Sequence, residues 1–218
     1  MNDFCSQKNR GRFIVFEGID GSGKSTQIKL LADRITEFNL KLHVTREPTD
    51  NILGVIIRQM FRGEVEGDNK TIAALFVADR MDHLVNSKYG IVAQLNDGVN
   101  VLSDRYYFSS YAYHSDYIDM DWVVQANKIN ADILRADLTI YLEINPIDSL
   151  NRVFARGQQL DIYENANKLR SVHENYLKSF RQYGRNENIA IINANRDQQV
   201  IADDIWNLVK PMLRDCNA

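Results

Sequence analysis

The chain has 218 residues, about one to two domains' worth, and its 44% hydrophobic and 25% charged residues are an ordinary globular mixture. Its 26 basic and 29 acidic residues leave a net charge of −3, which argues against a nucleic-acid coat protein, and no apolar run reaches the ~18 residues of a membrane span. The two cysteines, Cys5 and Cys216, make neither a disulfide framework nor a zinc cluster, and the start lacks the apolar block of a secretory signal, so the expected compartment is the cytoplasm.

Residues 1–12 read as a flexible polar tail. Phe13-Ile14-Val15-Phe16 is then a short continuous apolar run. Leu42 to Thr45, Val99 to Leu102, Leu138 to Leu142 and Ile189 to Ile192 make five candidate strands. Runs without alternation suit a parallel sheet covered on both sides by helices. Helical stripes lie between them: Ile28, Leu31, Ile35, Phe38; then Ala74, Val77, Met81, Leu84, Ile91, Leu95; and finally Ile201, Ile205, Leu208, Met212, ending at Pro211-Met212. The stretch 145–184 is almost all helix-forming and reads as an excursion from the sheet. Strand–helix alternation predicts one α/β domain with right-handed crossovers.

Directly after the first strand comes Gly18-Ile19-Asp20-Gly21-Ser22-Gly23-Lys24-Ser25-Thr26, which fits G-x-x-x-x-G-K-[ST]. Its glycines let successive N–H groups converge on an anion, and the following helix adds its positive end. Lys24 supplies a point charge to the β- and γ-phosphates, and Ser25 a hydroxyl to Mg²⁺. The loop implies a nucleoside triphosphate but does not choose among a kinase, a GTPase and a mechanical ATPase. The nearest string to a guanine reader, Asn127-Lys128-Ile129-Asn130, lacks its aspartate and reads as solvated helix surface.

Four further strings fall at strand ends or on the helices that follow, the ligand edge of an open α/β sheet. In Thr45-Arg46-Glu47-Pro48-Thr49, Arg46 suits bidentate phosphate contact. In Phe76 to Arg80, a ring and a guanidinium four residues apart could hold a nucleobase, or merely widen the core stripe. In Asp104-Arg105-Tyr106 through Tyr113, Asp104 can reach the Mg²⁺ shell, Arg105 can neutralise a phosphate between donor and acceptor, and Ser109, Ser110 and Tyr113 lie on adjoining helix positions. Arg152 and Arg156, before Gly157 and Asp161 to Glu164, suit either a solvated helix face or a basic flap over a triphosphate.

Taken in order, these motifs resemble the thymidylate kinases of the P-loop nucleoside monophosphate kinase group, from about Phe13 to Met212. The resemblance implies a five-stranded parallel sheet in order 2-3-1-4-5, a lid at about 152–165, and usually a homodimer. It implies that ATP with Mg²⁺ donates its γ-phosphoryl group to dTMP, giving dTDP and ADP, with no role for nucleic acid or membrane. Carried over by position, Gly18 to Thr26 bind ATP, and Ser25 and Asp104 serve the metal. Arg46 and Arg105 hold the acceptor phosphate, Asp20 touches the thymidylate sugar or helps hold the acceptor, Phe76 stacks on thymine, Arg80 bonds its O4, and Ser110 and Tyr113 line base and sugar. Tyr113 lies where a 2′-hydroxyl would crowd.

Asp20, Lys24, Arg105, Arg156 and Arg152 form the implied catalytic set. Some family members carry an arginine inside the loop, where this chain has Gly21-Ser22; the flap then supplies it, Arg156 first and Arg152 second. Phe154 stands where some bacterial relatives have a further arginine. Ile192-Asn193-Ala194 replaces the common Ile-Asp-Ala, and adenine is expected near that loop. The alternatives are a kinase of dUMP, UMP or a deoxynucleoside, and a nucleotide-binding switch that transfers no phosphate to a small molecule.

Overall fold

The computed structural model describes residues 10–155 and 162–214. Five strands, β1 (Phe13–Glu17), β2 (Leu42–Arg46), β3 (Asn100–Asp104), β4 (Leu138–Glu143) and β5 (Ile189–Asn193), form one sheet in order β2-β3-β1-β4-β5, every neighbour parallel. β1, in the middle, is buried along its whole length, which is why it reads as an unbroken apolar run. The register brings Phe16 and Arg46 opposite Asp104, and Glu17 opposite Tyr141. The polar residues that end three adjacent strands therefore lie along one edge of the sheet.

The helices are α1 (Lys24–Glu37), α2 (Ile52–Phe61), α3 (Asn69–Val85), α4 (Ile91–Asn96), α5 (Tyr107–His114), α6 (Met120–Ile133), α7 (Pro146–Phe154), α8 (Ile162–Tyr183) and α9 (Gln198–Arg214). Side-chain caps fix several starts: Asp68 accepts from the Thr71 N–H at 2.7 Å, and Asn145 from Ile147 at 2.9 Å with Pro146 at the first turn. α1 has no side-chain cap and no acid in its first turn. Its leading N–H groups stay free for an anion.

Several sequence expectations are corrected. Arg10 to Arg12 are not tail: Arg10 pairs with Asp137 at 2.8 Å, and the Arg12 N–H donates to Asn100 Oδ1 at 2.9 Å. Residues 1–9 lie outside the described residues. Phe38 caps the end of α1, half exposed against Trp206. The long stripe from Ala74 to Leu95 is two helices. α3 buries Ile72, Ala73, Asp79, Arg80, His83 and Leu84, whereas Ala74 is exposed and Val77 and Met81 are only partly covered. α9 runs through Pro211 and buries Val209 and Leu213 rather than Leu208.

Candidate active site

The loop after β1 folds back over the start of α1. Lys24 Nζ donates to the Gly18 and Ile19 carbonyls at 2.9 and 3.1 Å, so the ammonium is held inside the curl. Burial, with the Arg105 charge beside it, pulls its pKa down to about 8. Ile19 faces the core and Ser22 is buried, leaving the backbone of both to serve the cradle. Gly21 has φ +81°, and a Cβ there would lie 2.5 Å from the Ser149 carbonyl oxygen and 3.0 Å from Val153. Helix α7 thus fills the space a loop arginine would need.

Ser25 Oγ donates to Asp104 Oδ2 at 3.2 Å, and Asp104 Oδ1 is buried with no hydrogen-bond partner among the described residues. Two hard oxygen donors meet at the cradle's rim, one with an unused oxygen. That donor set fits Mg²⁺, which takes one or two protein oxygens and otherwise substrate phosphates and water.

Arg105 stands beside this rim. Its backbone is left-handed, φ 79°, unusual for a residue with a Cβ. Its N–H bonds to the Phe16 carbonyl at 2.9 Å. The guanidinium donates to Asp20 Oδ1 at 2.5 Å, Ser109 Oγ at 3.1 Å and the Tyr113 hydroxyl at 3.2 Å, and lies 4.8 Å from the centre of the Tyr113 ring. Burial raises the Asp20 pKa, but Arg105, Lys24 and the Tyr113 hydroxyl outweigh it, and the net shift is downward.

Beneath Arg105, Glu17 is fully buried. It accepts from the Tyr106 N–H at 2.9 Å, Ser109 Oγ at 2.6 Å and the Tyr176 hydroxyl at 2.8 Å. Burial pushes its carboxyl pKa up against these bonds. Glu17 therefore ties β1, the start of α5 and α8 together under the arginine.

Arg46 points outward, its side chain 64% exposed, and donates to Asp50 Oδ1 at 2.8 Å. It lines a cleft of about 520 Å³ together with Asp20, Lys24, Asp104, Arg105 and Tyr113. The loop carrying it is pinned to α3 by Asp79, which accepts from the Thr49 N–H and hydroxyl at 2.8 and 2.5 Å.

Arg80 is not solvated. Its Nη2 lies 2.6 Å from Glu47 Oε2, its Nε 2.8 Å from the same atom, and its Nη1 donates to Asn127 Oδ1. The Tyr106 ring lies 5.5 Å from the guanidinium. Burial raises the Glu47 pKa, but Arg80 and His83 outweigh it and hold it below the ordinary value. The expectation that Asn127 to Asn130 is solvated surface fails for both asparagines: Asn127 and Asn130 are fully buried because α6 packs on α3, with Asn127 on Arg80 and Asn130 on the Val77 carbonyl. The Phe76 ring lies 5.1 Å from His114, whose pKa burial and Arg80 depress to about 4. Ser110 Oγ is buried with no partner among the described residues.

Arg152 donates to the Ala194 carbonyl at 2.9 Å, which ties α7 to the loop after β5. Arg156 and Gly157 lie outside the described residues. Sequence reading assigned no role to Glu17, Glu47, Asn127, His114 or Lys168, which also lines the cleft. An acid closing the apolar run of β1 was a signal for Glu17; Lys168 sits in a stretch so charged that nothing marks it out.

A parallel sheet whose central strand feeds a lysine-bearing phosphate cradle, with two arginines, Arg46 and Arg105, in the same cleft, defines a P-loop phosphotransferase with room for a second anionic substrate. The thymidylate kinase family model matches residues 16–205, so the chain belongs to that family. A probable thymidylate kinase of Pyrococcus horikoshii is 38% identical over 207 residues, 92% of this chain and 97% of the relative. One from Methanocaldococcus jannaschii is 38% identical over 172 residues, 78% of this chain and 82% of the relative. The thymidylate kinase of Leptospira interrogans is 35% identical over 167 residues, 76% of this chain and 80% of the relative.

Proposed function

We propose that the protein transfers the γ-phosphoryl group of ATP to dTMP, yielding dTDP and ADP. The observation that carries this reading is the cleft itself, where Lys24 in the triphosphate cradle faces the same space as Arg46 and Arg105. The bond from the γ-phosphorus to the β–γ bridging oxygen breaks, and one forms to a dTMP phosphate oxygen, in line. The acceptor is already anionic, so no general base is required. The chain's work is positioning and charge neutralisation.

Within this reading the backbone from Gly18 to Thr26 holds the ATP phosphates and Lys24 the γ end. Arg46 and Arg105 fix the acceptor phosphate, Asp20, which accepts from Arg105, touches the sugar or helps hold the acceptor, Phe76 stacks on the base, Arg80 reads its edge, and Ser110 and Tyr113 close over base and sugar. Ser25 and Asp104 would hold Mg²⁺, which supplies charge neutralisation at the phosphates. Arg152, tied to the loop after β5, lies where adenine is expected, which leaves Arg156 as first choice for the flap arginine.

We also propose one kinase domain with a lid at about 152–165, a cytoplasmic location and a homodimer. Among the described residues no helix is long and apolar enough to cross a membrane. α3 packs on both α2 and α6, and these helices leave large apolar side chains exposed at Ile52, Phe61 and Ile129.

A panel of dTMP, dUMP, UMP, dCMP and AMP in an ADP-release assay tests the function. Preference for dTMP is expected. A preference for ribonucleotides overturns the role of Tyr113, and hydrolysis unaffected by any monophosphate overturns the kinase reading.

A further inference from the structure

Lys168 lies on α8 in register with Val172 and Tyr176, one and two turns further on. Val172 and Tyr176 are fully buried, and the Tyr176 hydroxyl is tied to Glu17 under the phosphate cradle. The stripe therefore faces inward, and its fixed foot sets where its first residue projects. Lys168 emerges at the top of that stripe, exposed, on the wall of the cleft that holds Lys24, Arg46 and Arg105. Among the described residues it makes no ion pair and no hydrogen bond. Its charge is felt across the cleft, since it helps keep Asp20 below the ordinary carboxylate range. Yet Asp20 already has Arg105 at 2.5 Å and Tyr113 at 3.2 Å, so it does not need a third partner.

A cation held over a phosphate cleft by an anchored helix face, with no protein anion of its own, has one natural complement. We propose that Lys168 is a further catalytic residue, its ammonium contacting the phosphoryl oxygens where donor and acceptor meet. This rests on the reading that two phosphorylated substrates occupy the cleft. As the bond to the leaving ADP breaks and the bond to the acceptor forms, negative charge spreads over the transferring group. An ammonium carried to that point on an anchored helix lowers the energy of that distribution more than that of the separated reactants. Lys168 gives up no proton and forms no covalent bond. It also gives α8, and not only the flap, a direct part in transfer.

The test compares Lys168→Met and Lys168→Arg with Lys178→Met, an exposed lysine on the same helix and off the stripe. Steady-state kinetics are measured with ATP and dTMP each saturating in turn, and thermal unfolding is followed in parallel. Lys168→Met is expected to lower kcat about 10-fold or more, short of the ~10²–10³-fold reported for removing one buried donor. Lys168→Arg should recover most of the loss, Lys178→Met should match the wild type, and unfolding midpoints should not move. A kcat for Lys168→Met within about twofold of wild type, or a rise in KM alone, overturns the assignment. So does a loss that arginine fails to restore or that Lys178→Met shares. A wild-type protein that phosphorylates no monophosphate overturns the kinase reading itself; an active wild type beside a fully active Lys168→Met overturns only the role of Lys168.

Discussion

Arg80 and Glu47 face each other 2.6 Å apart with both side chains 1% exposed. The pair joins α3 to the loop after β2, and Asn127 on α6 completes the frame. Two nitrogens of Arg80 meet one carboxylate oxygen and the third meets the asparagine, so the guanidinium plane is set before any ligand arrives. Removing one partner strands the other charge in the interior. Arg80→Ala is expected to cost roughly 3–5 kcal/mol of stability. Chemical denaturation would measure this. Asn127→Ala leaves the ion pair in place, and its effect should fall more on the KM for dTMP than on the unfolding midpoint.

Lys24→Ala is expected to lower kcat by at least ~10²-fold while leaving dTMP affinity within a few-fold, because the lysine serves the donor side of the cleft. Turnover assays combined with equilibrium dTMP binding separate the two. Near-full turnover would overturn the placement of the triphosphate.

The lowered pKa of Lys24 gives a pH signature. The free enzyme loses the Lys24 proton as pH rises through about 8, so kcat/KM for ATP should fall on that limb. Stability moves the other way. Between about 8 and the ordinary 10.5 the unfolded chain still holds a proton that the folded protein has released, so this group's contribution to stability rises with pH. Bound triphosphate favours the ammonium, and the limb in kcat should lie at higher pH. Rate profiles and denaturation from about pH 6 to 10.5 would show whether the two diverge.

Asp104→Asn keeps the size of the side chain but removes the charge at its unpartnered oxygen. The Mg²⁺ concentration for half-maximal rate should rise about 10–100-fold, with smaller change at saturating metal. Titration of activity against free Mg²⁺ reads this directly. An unchanged requirement would remove Asp104 from the metal's surroundings.

The inner strands β1, β3 and β4 were legible because they are buried on both faces, as parallel strands under two helical layers are, whereas the edge strands β2 and β5 leave Val44 and Ile191 exposed. Phe13 to Phe16 and Leu138 to Leu142 admit little else. The cradle was legible because its chemistry is local: nine consecutive residues carry it. α3 misled for the opposite reason. Its buried face contains Asp79, Arg80 and His83, polar residues that an apolar count sends to solvent, and their partners Thr49, Glu47 and Thr45 come from another part of the chain. Asn127 was invisible for the same cause: a buried amide is recognisable only once the guanidinium it serves is known. Long-range pairing of polar groups leaves no periodic trace.

Helix α7 presses the Ser149 carbonyl and Val153 against Gly21. An arginine there meets a backbone oxygen, which no trimming of Val153 removes, and it would also have to accept the left-handed φ of +81°. Position 21 is closed by the course of α7 itself, so a cation at that point of the loop would require the helix to shift rather than a neighbouring side chain to shrink.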